Sequence, residues 1–513
     1  MEKRYLLILD AGTGAGRCSL FDEGGALIGA AYREWHYQTP CENPEIREFD
    51  AGEFWNTFCG LIRELLRKTE IKPEEIAGIS STSQREGIVL LDENGRELYA
   101  GPNVDFRGEE EGKLLRKSMG EVVYRAAGHW PSAMTAPSRL LWFQKHRPEL
   151  YQRIKCLLMI SDWILYRFTG TPATEPTNAC ESLFYDIKNM CWNEALMQAL
   201  GVSPALFAPV LRPGGLCGTV TKKAALETGL IPGTPVFMGG ADTQCAVLGT
   251  GGVKKGHTAV VLGTSAPLMT VMDTPLIDPK GRVRTCCYLK PGTWVLDSNA
   301  RPTGVIYRWF RDTFYHDVPP PPGRSLYQLM DEEAAAVPPG ANGVLCFLGP
   351  SILNAGNLRD FPGVIAGVTA GYEKELCRRG LFSRAILENI AYAVKGNLEQ
   401  IIEVTGSTPS EIYVTGGASN APVQLSILAN VLGLPLVVSP CKESTSLGAA
   451  VCAAVGAGLY QDIDAAACAM KGRGETLVRP APETAEVYQT LYPKWKQLYH
   501  HFEEYHQLLL SAK

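Results

Sequence analysis

The sequence predicts an α/β protein of two related domains. Three observations predict it. A buried apolar strand runs into a Gly-Thr turn and leaves it as a second strand in Tyr5–Asp22, YLLILDAGTGAGRCSLFD. The same pattern returns in Thr258–Val271, TAVVLGTSAPLMTV, about 250 residues on, as a repeated domain would give. Both halves then alternate amphipathic helices with short apolar strands. The chain has 513 residues, 45% hydrophobic and 20% charged, which suits an ordinary globular protein with large cores.

Taken in order, Tyr5–Asp22 is the first hairpin. Asp50–Lys68, DAGEFWNTFCGLIRELLRK, is a helix that Asp50 caps, with Glu53 placed to complete a capping box. Phe54, Trp55, Phe58, Leu61, Ile62 and Leu65 form its apolar face. A strand follows at Ile76–Gln84, and another at Thr234–Gly240. The glycine-rich LGTGGVKKG of Leu248–Gly256 separates the halves, giving domains 1–247 and 248–513. The second half opens on its own hairpin. The proline run Val318–Ser325 is a surface loop, and Asn354–Gly371 is irregular. Phe382–Ile402 is a long helix and Glu411–Gly417 a strand. Pro422–Leu432 is a helix closed by Gly433 as a left-handed cap. Leu434–Ser439 is a strand, and the helix from about Ser446 carries Gly448, Ala449, Ala450, Ala453 and Ala454, small enough for close helix–sheet packing. Leu477–Ala485 reads as a connecting loop. Val487, Leu491, Trp495, Leu498, Phe502, Tyr505 and Leu509 mark the packing face of a last helix, beside solvated His500, His501 and His506.

Net charge is −5 with no basic face, so nucleic acid is not expected as a partner. The opening MEKRYLLILD flows into the first turn and reads as a strand rather than a leader. No stretch approaches the roughly 20 apolar residues of a membrane span. The 15 cysteines are scattered and form no CxxC pair, which points to thiols in a reducing cytoplasm.

Four segments carry chemistry. In Asp10–Arg17, DAGTGAGR, a carboxylate ends a buried strand, and glycines let backbone N–H groups approach phosphate oxygens. Asp10 is placed to hold Mg²⁺ through water. No GxxxxGK[ST] occurs, and Arg17 stands where a dinucleotide fold needs its third glycine. Gly263-Thr264-Ser265 is a second phosphate-type turn. In Val414–Asn420, VTGGASN, paired glycines let a flat base or a phosphate lie on the backbone. In Gly239–Gln244, GGADTQ, Asp242 follows a strand, where a carboxylate could accept a proton from an attacking hydroxyl. Singly, each has a structural explanation: a glycine hairpin, a βα turn, or a helix-capping Asp.

Together, from Leu6 to about Gly458, the four segments resemble the FGGY family of carbohydrate kinases. That family shares the ribonuclease-H-like core of actin and Hsp70-type ATPases, two such domains flanking a catalytic cleft. The resemblance implies an ATP-dependent, Mg²⁺-assisted phosphotransferase acting on a sugar-like hydroxyl. It maps the first phosphate motif onto Asp10, Gly12, Thr13, Gly14 and Arg17. It maps the GG-x-D-x-Q element onto Gly239, Gly240, Asp242 and Gln244, making Asp242 the base. The second phosphate turn falls on Gly263, Thr264 and Ser265, and the adenosine turn on Gly416, Gly417 and Ala418, with Asn420 close by.

Within the family, Ser83–Asp92, SQREGIVLLD, is similar to the Gln-Arg-Glu element of glycerol kinases and unlike the Gln-Met-His-Gly of xylulokinases. Arg85–Leu90, Asn103–Arg107 (NVDFR), Met159–Trp163 (MISDW) and Trp309–Asp312 (WFRD) are similar to segments of autoinducer-2 kinases. Gln84 departs from the Met expected there. The resemblance implies a linear dihydroxypentanedione-type substrate held by Gln84, Arg85, Glu86, Asp105, Asp162, Asp242 and Gln244. Read without it, Arg85–Glu86 is equally a surface ion pair and Asp162 a helix cap. Glycerol, xylulose and other pentulose or polyol substrates are the alternatives, then a non-catalytic sugar sensor or an actin-like ATPase. A homodimer is left open.

Overall fold

Both Gly-Thr hairpins form in the computed structural model, which describes residues 4–358, 363–368 and 378–511, with side chains to 505. Tyr5–Ala11 pairs antiparallel with Ala15–Phe21, and Thr258–Val261 pairs antiparallel with Ser265–Met272. Each hairpin sits at the heart of a seven-stranded sheet. In the first, Ala15–Phe21 continues antiparallel to Leu27–Glu34, while Tyr5–Ala11 is flanked by parallel Ile76–Ser83 and then parallel Pro235–Phe237. In the second, Ser265–Met272 continues antiparallel to Trp294–Pro302, while Thr258–Val261 is flanked by parallel Ile412–Thr415 and then parallel Leu436–Val438. The two cores therefore share one order, an antiparallel meander followed by two parallel strands.

This symmetry places the motifs. The two Gly-Thr turns occupy equivalent hairpin tips. The Gln84–Glu86 segment ends the fourth strand of the first sheet, where Gly416–Ala418 ends the fourth strand of the second. The fifth strands lead to two helices, Asp242–Gly249 and Ser444–Gly456. These helices pack on each other, and Ser444–Gly456 also packs on Ile76–Ser83 and Tyr5–Ala11. The small residues of this helix thus serve a crossing between halves. A Cβ on Gly448 would lie 1.9 Å from the Cys245 carbonyl oxygen, so only glycine permits the approach.

Apolar faces follow the sequence closely in Ala51–Thr69, where Phe54, Trp55, Phe58, Leu61, Ile62 and Leu65 are buried. Asp50 accepts from the Glu53 N–H at 2.8 Å. Among the described residues, the Glu53 side chain does not return the bond, so the box is half formed. Three expectations need correcting. Thr476–Val478 is an edge strand antiparallel to Leu436–Val438 rather than loop, too short to show alternation. The stretch 354–371 contains the Val364–Ala366 strand, paired with Leu345–Phe347; its residues 359–362 and 369–371 lie outside the described residues. The helix Pro482–Ser511 buries Tyr488, Tyr492, Trp495 and Tyr499, whereas Val487, Leu498 and Tyr505 are exposed. Tyrosine rings turn inward because their hydroxyls find partners: Tyr488 bonds Arg384 and Glu388, and Tyr492 donates to Glu399 at 2.8 Å. Leu509 and His506 lie outside the described side chains. Among the described residues no helix is long and apolar enough to cross a membrane.

Candidate active site

The first phosphate-type turn is tied from beneath and open above. The Gly12 N–H donates to Ala15 O at 3.0 Å, and Trp35 and Tyr37 both donate to Thr13 O. A Cβ on Gly14 would meet nothing within 4 Å, which leaves room beside the backbone for a phosphate. Asp10, on the strand below, is 3% exposed. Burial pushes its carboxyl up to about 7; Arg17 opposes this, while Asp242 and Glu443 reinforce it. Arg17 lies 3.7 Å from Asp10 and 3.8 Å from Glu443, bridging the two halves. Two carboxylates, Asp10 and Glu443, thus converge on one guanidinium. Their carboxylate oxygens are the donor type that a divalent cation takes.

The second turn and the Gly416–Ala418 turn are one unit. The Leu262 N–H donates to Thr415 O at 2.8 Å and the Ala418 N–H to Leu262 O at 3.1 Å. Gly416 has φ +97°, and a Cβ there would lie 2.5 Å from Leu262 O, so this junction requires glycine. The Gly263 N–H donates to Ser265 O at 2.9 Å, Thr264 is exposed, and the space beside Gly417 is open. Asn420 follows in the same 3-10 turn, its amide 3.5 Å from Gly417 O.

Asp242 begins its helix and is half-buried. Its Oδ1 accepts from the Thr243 N–H at 2.6 Å and the Thr243 hydroxyl at 3.1 Å. Burial raises its pKa; Arg85 lowers it and Glu86 raises it. Asp242 is therefore within electrostatic reach of Asp10 and of Arg85 and Glu86.

Arg85 donates to Asp297 Oδ2 at 2.7 Å and to Glu181 Oε1 at 3.4 Å. Burial works against its charge, but these carboxylates hold its pKa well above the usual arginine value. Glu86, held at φ +66° and 5% exposed, lies 3.5 Å from Arg284 Nη1 and 3.4 Å from His129 Nε2. Gln244 donates to Glu181 Oε1 at 3.3 Å. The donor atoms of Glu86, His129 and Glu181 lie within 4.8 Å of one another, a spacing a cation could bridge. Arg85 and Arg284 already supply positive charge beside them.

The remaining expected substrate residues sit differently. Gln84 accepts from the Asn103 N–H at 2.9 Å and donates to Gly12 O at 3.3 Å and to Tyr37 Oη at 2.9 Å. It braces the phosphate turn against the Asn103–Arg107 loop. Asp105 accepts from Arg107 Nε at 2.6 Å, from the Arg47 N–H and from Tyr99, which anchors that loop. Asp162 is 1% exposed and accepts from Asn178 at 2.8 Å. Burial raises its pKa well above the ordinary carboxyl value. Among the described residues, neither Asp105 nor Asp162 forms a hydrogen bond or ion pair with Arg85 or Glu86. Sequence reasoning missed Glu443, His129, Glu181, Arg284 and Asp297. One signal was available: Asp297 lies inside the apolar strand WVLDSNARP, directly paired with Arg284 on the next strand.

Fold and site define a class, the two-lobed phosphotransferases built on the actin and Hsp70 type of ATPase core. Residues 5–249 match the N-terminal domain and residues 258–457 the C-terminal domain of the FGGY family of carbohydrate kinases, and the chain belongs to that family. It is a sugar kinase, with ATP as co-substrate and a small sugar-like acceptor. It is 36% identical over 509 residues to the autoinducer-2 kinase of Photorhabdus laumondii, covering 97% of this chain and 94% of that one. It is 35% identical over 511 residues to the autoinducer-2 kinase of Escherichia coli K12, with the same coverage. Its fold is similar to that of ligand-bound xylulose kinase from Lactobacillus acidophilus, with a TM-score of 0.86 at 21% identity, covering 98% of this chain and 99% of that one.

Proposed function

We propose that this kinase transfers the γ-phosphoryl group of ATP to a hydroxyl of the linear autoinducer-2 precursor, dihydroxypentanedione, with Asp242 as the base. The observation that carries the reading is that Asp242 lies within electrostatic reach of both Asp10 and the Arg85–Glu86 cluster. In this reading residues 1–247 contribute acceptor contacts, the first phosphate turn and the base, and residues 248–513 contribute the nucleotide site. The identity to autoinducer-2 kinases over the whole chain supports the choice of acceptor.

The nucleotide lies along the Gly416–Ala418 junction, with its phosphates between the turns Gly12–Gly14 and Gly263–Ser265. Asp10 and Glu443 are the residues that would hold Mg²⁺, which neutralises phosphate charge when bound. Arg85 and Glu86 orient the acceptor by donating to and accepting from its oxygens. The Asp242 oxygen left free by Thr243 accepts the hydroxyl proton as the oxygen attacks in line. Positioning and charge neutralisation supply most of the acceleration. The enzyme works in the cytoplasm, where ATP and reduced thiols occur, as a monomer or homodimer, an alternative that light scattering decides.

The test is ADP release with Mg·ATP across dihydroxypentanedione, glycerol, xylulose, ribulose, gluconate and erythritol. Turnover dominated by dihydroxypentanedione is expected. Turnover dominated by another polyol would overturn the acceptor while keeping the kinase.

A further inference from the structure

Five buried polar atoms in the network around Arg85 and Glu86 have no hydrogen-bond partner: His129 Nε2, Glu181 Oε2, Gln244 Oε1, Asp297 Oδ1 and Arg284 Nε. Buried polar groups are nearly always paired, so a set of orphans in one network marks where a ligand belongs. The network is continuous. Arg85 joins Glu181 to Asp297, Gln244 bonds Glu181, and Glu86 lies against both His129 and Arg284.

The orphans are unequal in kind. His129 Nδ1 lies 3.3 Å from the Trp130 carbonyl oxygen, which can only accept. Nδ1 therefore carries the proton and Nε2 presents a lone pair. Burial, and then Arg284, hold the His129 pKa well below the usual value, so the ring is neutral. Nε2 faces Glu86 Oε1 at 3.4 Å and Glu181 Oε2 at 3.9 Å. Three acceptor atoms converge there, and burial raises the Glu181 carboxyl, with Arg85 opposing the rise and Glu86 adding to it. Glu181 Oε2, Gln244 Oε1 and Asp297 Oδ1 are acceptors too, leaving Arg284 Nε as the one orphan donor of the set. Arg85 and Arg284 offset two of the three carboxylates, and burial raises the pKa of the third, Glu181, so the cluster calls for O–H hydrogens rather than a further cation.

Resting on the reading that Arg85 and Glu86 face the acceptor, we propose that His129, Glu181, Arg284 and Asp297 complete the acceptor pocket and select the hydrated form of a dicarbonyl chain. Free dihydroxypentanedione has two O–H groups, one of which must meet Asp242. Addition of water across one ketone converts C=O to C(OH)₂ and doubles the donors, while the remaining carbonyl can accept from Arg284. Hydration is a solution equilibrium in this scheme; the pocket chooses. A site built of acceptors rejects a ligand that leaves them unpaired. The strand pair carrying Arg284 and Asp297 belongs to the second sheet, so both halves of the molecule read the acceptor.

Titration calorimetry on the full-length protein, with a non-hydrolysable ATP analogue present, tests this with two probes of equal length. One is 1,1,1-trifluoro-4-hydroxypentan-2-one, which its fluorines hold as the gem-diol and which lacks the 5-hydroxyl that would close a five-membered hemiketal; the other is 4-hydroxypentan-2-one, chiefly a free ketone. The gem-diol should bind about tenfold tighter or better, and that preference should collapse in His129→Ala and Asp297→Asn. Equal affinities, a preference for the ketone, no binding of either probe, or a preference unchanged by both substitutions would overturn the proposal. Melting temperature and nucleotide affinity report whether each variant is folded, and His129→Gln serves if Asp297→Asn is not. The cage can fail separately from the choice of acceptor. If the enzyme turns over another polyol, His129→Ala should raise KM for that polyol with kcat held, and an unchanged KM would reject the cage.

Discussion

Replacing Asp10 with Asn should stabilise the nucleotide-free protein while destroying its activity. Asp10 is buried, and its carboxyl is pushed up to about 7 from 3.8 by burial, with Asp242 and Glu443 adding to it. Between those values the native state keeps a proton that the unfolded chain has released. Stability therefore falls as pH rises through that window and stays low above it. At about 1.4 kcal/mol per pH unit, holding the charged form costs roughly 4 kcal/mol, a ceiling that local rearrangement would lower. Asn never charges, so Asp10→Asn should gain up to about 4 kcal/mol near pH 8, and the gain should shrink towards zero near pH 4. Urea unfolding of both proteins without nucleotide, at several pH values, reads this directly. Mg·ATP should then stabilise the wild type and leave the variant nearly unmoved. A variant less stable than wild type near pH 8, or a difference independent of pH, would refute the argument that Asp10 is a strained, cation-ready carboxylate.

Other consequences follow from the same geometry. Gly416→Ala sets a Cβ 2.5 Å from Leu262 O at φ +97°; it should weaken ATP binding about tenfold or more by calorimetry, because the backbone must move at the nucleotide junction. Tyr488→Phe removes a hydroxyl bonded to Arg384 at 2.6 Å and to Glu388 at 2.7 Å. It should cost about 1–3 kcal/mol in denaturant unfolding and leave kcat/KM unchanged. Arg85→Ala would leave Glu181 and Asp297 buried without their shared partner; a loss of about 3–5 kcal/mol is expected, visible as a lower melting temperature.

The residues legible in the sequence are those whose role is local. Asp10, the two Gly-Thr turns, Gly416 and Asp242 each sit at a strand end beside glycines, and glycine positions follow from turn geometry within a few residues. The small residues of Ser444–Gly456 predicted close helix–sheet packing, which the helix makes on Ile76–Ser83; its crossing with Asp242–Gly249 could not be read, because that partner is remote in sequence. The acceptor cage was largely illegible because Glu86, His129, Glu181, Arg284 and Asp297 come from five separate segments, and only tertiary packing makes them neighbours. Conversely, Asp105 looked like a ligand in its motif, yet its partners are Arg107 two positions on and Tyr99 six back. Gln84 was placed with the substrate, and the fold turns it towards Gly12 O. The face of the last helix was misjudged because a hydropathy pattern counts tyrosine as ambiguous, whereas a buried tyrosine with a bonded hydroxyl packs as a large apolar ring.

The central claim is that Asp242 takes the proton from the attacking hydroxyl. The most direct test is single-turnover phosphoryl transfer by Asp242→Asn, with ATP affinity measured on the same preparation. The account predicts ATP binding within about twofold of wild type and a chemical step slowed about a hundredfold or more, the usual scale of losing a general base. A near-normal chemical step in that variant would contradict it and leave the Asp10 turn and the Arg85–Glu86 cluster without the group that is proposed to link them.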